Sequence, residues 1–468
     1  RKTMKKKNII FSIVALLLTS CNNANNANSK TDENEKCTIE FYVYDNANAY
    51  KKLASQFNLI YPNWNVSVRK NKANYFDNLK TYFGANMAPD MFFMEPGEIS
   101  SFIRDDLLLN LQPYINEGVD LKESDLWEAN DGYRYNTTTN KLGDKDGDLY
   151  ALAKDLSADF MMVYNKNHID EYNSTHEVSL YDLIKYPSDD KIYPSETIPM
   201  SWEQNEMFCH YLSKFDDNGN FLRYGTVFDY IPWRHVMEFV QQQKSSLFID
   251  DGKTFNAEDE RVIAAFKHLT NYFVGENKSS TPLDTKSVDT GIGFKSQSVS
   301  VVWAGRWSFK AYNWDDMSFD YGIAPGPVRN LNDEVFTSTS FVGISISATS
   351  KHKDVAYKFL EYILTSGVRQ EIKNNESFNV PANKSIASSS LYLNADNEKE
   401  AKLNNYFYNM TNIAKPLLFS QYIDTTTMEA KLGLNYGATW TDNESVENAL
   451  LNCKRDIETE IKKVIARS

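Results

Sequence analysis

The sequence predicts an α/β protein with largely parallel sheets and more than one domain. Three observations lead there. Short β-rich apolar runs alternate with helical periodicities from residue 39 to 106, and strands that alternate with helices at this pitch form βαβ units. The chain has 468 residues, enough for two or three domains. Hydrophobic residues make up 42% and aromatic residues 13% of it, which is sufficient for a large core.

The N-terminal segment is an address rather than part of that fold. Basic residues Lys5, Lys6 and Lys7 precede the apolar run Ile9–Leu18, and Leu18-Thr19-Ser20-Cys21 closes it. This is the order of a secretory signal, and the run falls short of the ~20 residues that span a bilayer. The last four residues resemble the bacterial lipobox, which implies lipidation of Cys21. Residues 1–20 are therefore expected to be a signal peptide. Residues 21–36 contain no aromatic residue and no Leu, Ile or Val, and are expected to be a lipidated flexible tether.

Each element can be justified in turn. Ile39–Tyr44 is a buried strand. Tyr50, Leu53, Ala54 and Phe57 recur at helical spacing, and the helix must stop before Pro62. Asn65–Val68 alternates as a strand, Tyr75–Phe83 is helical and ends at Gly84, Asp90–Met94 is a third strand, and Ile99–Asp106 is a short helix. Further on, Phe160–Tyr164 is a strand, Trp202–Leu212 a helix, and Asp216–Asn220 a turn. Asn256 is the expected cap of a helix whose face is Val262, Ile263, Phe266, Leu269 and Phe273. Val299–Trp303 and Phe341–Ile346 are strands. Val355, Phe359, Leu360 and Ile363 mark another helix, and Val446–Ile465 the last.

Charge and motifs narrow the function. Net charge is −13, and the basic leader makes the remainder more acidic still, so a nucleic-acid partner is not expected. No nucleophile elbow, zinc-protease motif, phosphate loop or dinucleotide fingerprint is present. Six histidines lie scattered without metal spacing and are expected at the surface. Asp144, Asp146 and Asp148 resemble the start of a calcium loop, but Gly147 and Asp155 occupy the wrong positions, so a solvated turn is expected and no metal. Cys37, Cys209 and Cys453 are an odd set with no metal spacing, expected to be buried thiols. The informative signal is aromatic: Trp303, Trp307, Tyr312 and Trp314 cluster, and Tyr230 and Trp233 sit in the Pro-containing segment FDYIPW. Aromatic faces at loops are platforms for the C–H faces of sugars.

Several segments then resemble, in order, the family 1 extracellular solute-binding proteins, the carbohydrate receptors of ABC importers. These are Ala88-Pro89-Asp90-Met91, Leu107–Leu111 with Pro113, Gly147–Leu152, Phe160–Asn165, Met200-Ser201-Trp202-Glu203, Trp303–Trp307, Phe319–Pro325, Phe341–Ile344 and Lys353–Leu364. The likeness runs from about residue 39 to the end. It implies a two-lobed periplasmic-binding-protein-like fold of class II, with a ligand cleft between α/β lobes. Lobe one would be 37–153 plus 345–395, and lobe two 154–340 plus 400–468. The implied contacts are Asp45, Asn46, Met94, Glu95, Asp155, Tyr230, Trp233, Trp303 and Trp307, with another around Thr425–Met428. Arg306, a departure from the family pattern, would bring a guanidinium near the ligand and favour an anionic sugar.

The expected function is capture of an extracellular sugar or oligosaccharide for an ABC permease, by a lipid-anchored monomer on the outer side of the membrane. No enzyme activity and no cofactor are expected. The alternatives are the same fold binding a polyamine, peptide or phosphate ester, an anchored glycoside hydrolase with two carboxylates, or a surface adhesin.

Overall fold

A computed structural model describes residues 31, 33–185, 191–228, 232–281, 290–314, 317–374, 376, 379–441 and 443–467. The expected signal segment, Cys21 and Tyr230 lie outside the described residues.

The first lobe opens as the periodicities predict. β1 (Cys37–Val43), α1 (Ala47–Ile60), β2 (Trp64–Lys70), α2 (Tyr75–Gly84), β3 (Met91–Met94) and α3 (Ile99–Arg104) succeed one another. β1 pairs in parallel with both β2 and β3, because a helix returns the chain to the same end of the sheet each time. α1 buries Tyr50, Leu53, Ala54 and Phe57. Phe41 is enclosed edge-on by Tyr50, Phe93 and Phe359, with ring centroids 5.1, 5.6 and 6.2 Å away. Burying one such ring is worth about 1.5–3 kcal/mol.

The chain then crosses to a second lobe and back. In order come β4 (Leu152–Ala153), β5 (Asp155–Ala158), β6 (Met161–Asn165), α4 (Trp202–Leu212), β7 (Lys214–Phe215), β8 (Phe221–Val227), α5 (Pro232–Gln241), α6 (Glu260–Asn271), β9 (Val299–Ala304), α7 (Arg306–Ala311) and β10 (Tyr321–Pro325). The return and the C-terminal part add β11 (Ser338–Ser340), β12 (Gly343–Ile346), α8 (Lys353–Tyr362), β13 (Val380–Pro381), α9 (Glu398–Ile413), β14 (Lys415–Pro416), α10 (Thr425–Tyr436) and α11 (Val446–Ile465).

One five-stranded sheet has the order β2-β1-β3-β12-β4, and the other β7-β8-β9-β6-β10. They are more mixed than the sequence suggested. β12 enters the first sheet straight from a crossing segment, without a helix between, and so lies antiparallel to its neighbours β3 and β4. β6 likewise runs antiparallel to β9 and β10. A sheet of β13-β5-β11-β14 ties the crossings together.

The second sheet is covered on both faces. Met162, Tyr164, Val301 and Trp303 point into one cluster, while Met161, Val163, Val302 and Ala304 point into another, as strand alternation requires. Ala387 and Tyr392, expected with lobe one, pack in that second cluster beside Leu403 and Phe407.

Some local readings change. α6 is capped by Asp259, which accepts from the Arg261 amide at 2.8 Å, and Asn256 instead bonds the Ser246 carbonyl. His168 and His268 are buried rather than solvated, bonded to Ser300 at 2.9 Å and to Glu206 at 2.5 Å. Others stand. Asp144 spends its carboxylate on the Asp146 amide, Asn136 and Thr139, which makes a turn. Cys37, Cys209 and Cys453 are buried free thiols, and burial pushes Cys453 up to about 12.

Candidate ligand-binding cleft

The cleft is built from strand ends of lobe one and helix starts of lobe two. Tyr44, Asp45 and Asn46 come after β1, and Glu95 comes after β3. Arg234 lies in the first turn of α5, Trp307 in that of α7, Glu429 in α10, and Asp159 between β5 and β6. The Tyr44 hydroxyl donates to Glu95 Oε1 at 3.1 Å, and Arg234 Nη2 donates to Glu95 Oε2 at 2.9 Å. The second bond joins the lobes. The Arg234 side chain keeps 41% of its surface exposed, so the pair faces open solvent between the walls. Trp307 is half-buried, and its indole N–H donates to Asp159 Oδ1 at 3.0 Å, which fixes the ring at the cleft wall. This packing needs Gly305: a Cβ there would stand 2.0 Å from Asp159 Oδ1 and 2.4 Å from Ser157 Oγ.

A second polar group lies beside the crossings. Lys154 Nζ donates to Asp155 Oδ2 at 2.8 Å, and Asn379 donates to Asp155 Oδ1 at 3.1 Å. Asp45 and Glu371 face the same ammonium. Burial raises Asp45 and pushes Glu371 up to about 7. A cavity of about 30 Å³ opens here, lined by Asn46, Tyr50, Lys154, Asp155 and Glu371 among others. Asn46 turns the chain from β1 into α1 with φ 45°, a left-handed conformation that Asn tolerates.

A third contact holds the lobes together farther along. The amides of Thr425 and Thr426 start α10, and such first-turn N–H groups have no partner within their own helix. Lobe one supplies the partners. The Gly97 carbonyl accepts from Thr425 at 3.1 Å, and Glu98 Oε1 accepts from the Thr426 amide at 3.0 Å and its hydroxyl at 2.9 Å. Lys80 reaches the N-cap residue Asp424 at 3.4 Å, and Arg104 donates to the Gln421 carbonyl. A Cβ on Gly97 would lie 1.7 Å from Thr425 Oγ1, so only glycine permits this approach. Burial, then the Asp424 charge, pushes Glu98 up to about 8.

The structure thus brings together Asp45, Asn46, Glu95, Asp155 and Trp307. Four expected contacts are instead core or scaffold. Met94 is fully buried in lobe one. Trp303 stacks between Phe160 and Phe228, at 5.1 and 5.9 Å. Trp233 stacks on Trp440 at 5.6 Å and meets Tyr436 edge-on. Arg306 is 1% exposed, its guanidinium held by Glu400 and by Asn404 Oδ1 at 3.1 and 3.2 Å, so it does not bias the cleft toward an anion. In the expected stretch Thr425–Met428, Thr425 and Thr426 hydrogen-bond the other lobe. Sequence reasoning missed Tyr44, Lys154, Asp159, Arg234, Glu371 and Glu429. Among the described residues, no group of three or more His, Cys, Asp or Glu could hold a metal ion, and no helix is long and apolar enough to cross a membrane.

No protein-family model matches the sequence, and no curated protein does. Solved structures do match. An ABC substrate-binding protein from Listeria monocytogenes, in complex with cycloalternan, is 20% identical with a TM-score of 0.71, over 92% of this chain and 100% of that one. The sugar-binding protein MalE from Xanthomonas citri is 17% identical with a TM-score of 0.70, over 92% and 99%. The maltose/maltodextrin-binding domain MalE from Bdellovibrio bacteriovorus, bound to maltotriose, is 15% identical with a TM-score of 0.66, over 91% and 100%. The chain therefore has the two-lobed α/β fold of the maltose-binding-protein-like substrate-binding proteins of ABC transporters.

Proposed function

We propose that the protein captures a sugar or oligosaccharide outside the cell in the cleft between its lobes and delivers it to an ABC permease, held at the membrane by a lipid on Cys21. The observation that carries this reading is the Glu95–Arg234 pair. It joins the lobes at an open cleft whose walls also present a tyrosine hydroxyl, a fixed indole face and several carboxylates. Sugars need these groups: acceptors for hydroxyls and a flat apolar face for C–H groups. A ligand that touches both lobes binds the closed form better than the open one, and only such differential binding shifts the equilibrium. Closure then presents a new composite surface to a permease.

The test is a thermal-shift screen of residues 37–468 against mono- and oligosaccharides. A ligand at 100 times its Kd raises stability by about 2.7 kcal/mol. The expected result is a saccharide hit that is lost in Trp307→Ala and Glu95→Gln. A chain that no saccharide stabilises would overturn the reading. Anchoring is tested separately by palmitate incorporation into cells expressing the full chain, which Cys21→Ser should abolish.

A further inference from the structure

Among the described large apolar residues, Leu59 and Val119 are the most exposed, at 83% each. They lie on one face of lobe one. α1 ends in the apolar run Leu59-Ile60-Tyr61-Pro62, in which Ile60 and Pro62 are also exposed and Tyr61 is half-buried, stacked on Trp64. Asp120, next to Val119, bonds Lys358 of α8 at 3.2 Å, and Tyr61 acts on the same ammonium. Folding tends to bury such groups, and an apolar run left in water marks a contact surface.

The place of this face in the fold says what covers it. β1 ends at the cleft and α1 carries the chain back to the other end of the sheet, where Trp64 pairs with Cys37 and the Cys37 amide donates to the Asn63 carbonyl at 3.0 Å. The N-terminal chain arrives at the same end. Thr31 Oγ1 donates to Asp354 Oδ1, in the first turn of α8, at 2.7 Å, and Asn63 donates to the Glu33 carbonyl at 3.0 Å. Thr31 is ten residues beyond Cys21, and ten residues reach at most about 36 Å. A compact chain of this length has a radius of gyration of about 22 Å and so measures more than about 50 Å across. A lipid on Cys21 therefore brings the bilayer to this end of lobe one and not to the far side of the molecule. Lys358 is shared by Asp120 and Glu361, at 3.2 and 2.7 Å, so the face offers no surplus of positive charge to anionic headgroups. It offers aliphatic side chains and a tyrosine, groups that favour the boundary between headgroups and acyl chains.

We propose that this end of lobe one rests on the lipid bilayer, with Leu59, Ile60 and Val119 in the headgroup layer and the cleft turned away from the membrane, open to solute. The inference rests on the anchoring reading at Cys21 and names the surface that the anchor brings to the lipid. Three side chains make a weak contact, which the anchor holds by proximity and from which the chain can lift to meet a permease.

The experiment uses the chain from residue 22 with an N-terminal hexahistidine in place of the lipid, held on phosphatidylcholine vesicles by a nickel-chelating lipid. A polarity-sensitive fluorophore is attached at Leu59→Cys, at Val119→Cys or, as a control, at Leu434→Cys of α10, a site 74% exposed in lobe two. The native thiols Cys37, Cys209 and Cys453 are buried, and the parent chain sets the labelling background. The expected result is a blue-shifted emission at 59 and 119 on anchoring, reversed by imidazole, with no shift at 434. Leu59→Ser together with Ile60→Ser, checked for an unchanged circular dichroism spectrum, should abolish the shift at 119. No shift at 59 and 119, or an equal shift at 434, overturns the proposal. A shift that grows with protein concentration in the absence of vesicles means that a second copy covers the face, and overturns it too. Because the chelating lipid replaces the anchor, the two readings fail separately: the vesicle result decides this face, and palmitate incorporation at Cys21 decides the anchor.

Discussion

The two walls of the cleft are made differently. Lobe one contributes residues at the ends of its strands: Tyr44, Asp45 and Asn46 after β1, and Glu95, Gly97 and Glu98 after β3. Lobe two contributes residues that begin its helices: Arg234, Trp307, and Thr425 and Thr426. A strand end is fixed by the sheet, so its side chains are held by the backbone ladder. A helix start carries unpaired N–H groups, and in α10 those are the groups that lobe one satisfies. At the α10 start and at α5 lobe one mainly accepts, while Lys80 and Arg104 donate back to Asp424 and Gln421.

The same comparison separates two tryptophans four residues apart. Trp303 lies within β9 and is 5% exposed, whereas Trp307 lies in α7 and is half-buried at the cleft. Trp303→Ala should remove a stacked core ring and cost about 3–5 kcal/mol of stability, read as a fall in the denaturation midpoint by urea. Trp307→Ala should cost far less stability and instead abolish ligand binding. Equal losses of stability in the two variants would erase the distinction between core and cleft.

The next largest effect is pH-dependent and belongs to the junction of the walls. Glu98 titrates near 8 when enclosed by Thr426, Asp424 and Lys80, but near the usual carboxylate range when the lobes part or the chain unfolds. Below that range both forms hold the proton and pH has no effect. Between it and about 8 only the closed form keeps it, so the closed form loses about 1.4 kcal/mol per pH unit on raising the pH. Above 8 the loss levels off. Melting monitored from pH 5 to 8.5 should show falling stability, and Glu98→Gln should make the fall shallower, with Glu371 and Glu429 carrying what remains. Gly97→Ala should separate the lobes at every pH, which small-angle scattering would register as a larger radius of gyration.

Much of the fold was legible because burial leaves a period. α1, the β1–β3 strands and the final helix emerge from spacing alone, and the last helix begins and ends where expected. Of the lobe-one residues, Asp45, Asn46 and Glu95 came from the family resemblance rather than from any pattern, and Gly97 and Glu98 carried no signal. The lobe-two contacts were not legible from spacing either. Helical period tells which face of α5 is buried, but not that its first turn opens toward another lobe, so Arg234 carried no signal. The aromatic cluster misled for a related reason. Trp303 and Trp307 share a composition, and only the strand-to-helix change at Gly305 divides core from cleft. Arg306 reads as a loop cation until α9, about a hundred residues later, supplies Glu400.

The smallest predicted effect tests whether the walls are coupled directly. The Glu95–Arg234 bond is, among the described residues, the charge pair that joins the strand ends to α5, yet both side chains remain partly exposed. Exposed pairs contribute about 0.2–1 kcal/mol, since water screens them. Arg234→Met should therefore lower global stability by less than about 1 kcal/mol. It should also make lobe closure less sensitive to salt, because the screened interaction is gone. The informative comparison is a double-mutant cycle with Glu95→Gln, read by urea denaturation at two salt concentrations. Coupling that is small and vanishes at high salt would mean the walls are held mainly by α10 and Glu98. Coupling that is large and insensitive to salt would mean the pair is desolvated, and would move the principal clasp from the α10 start to α5.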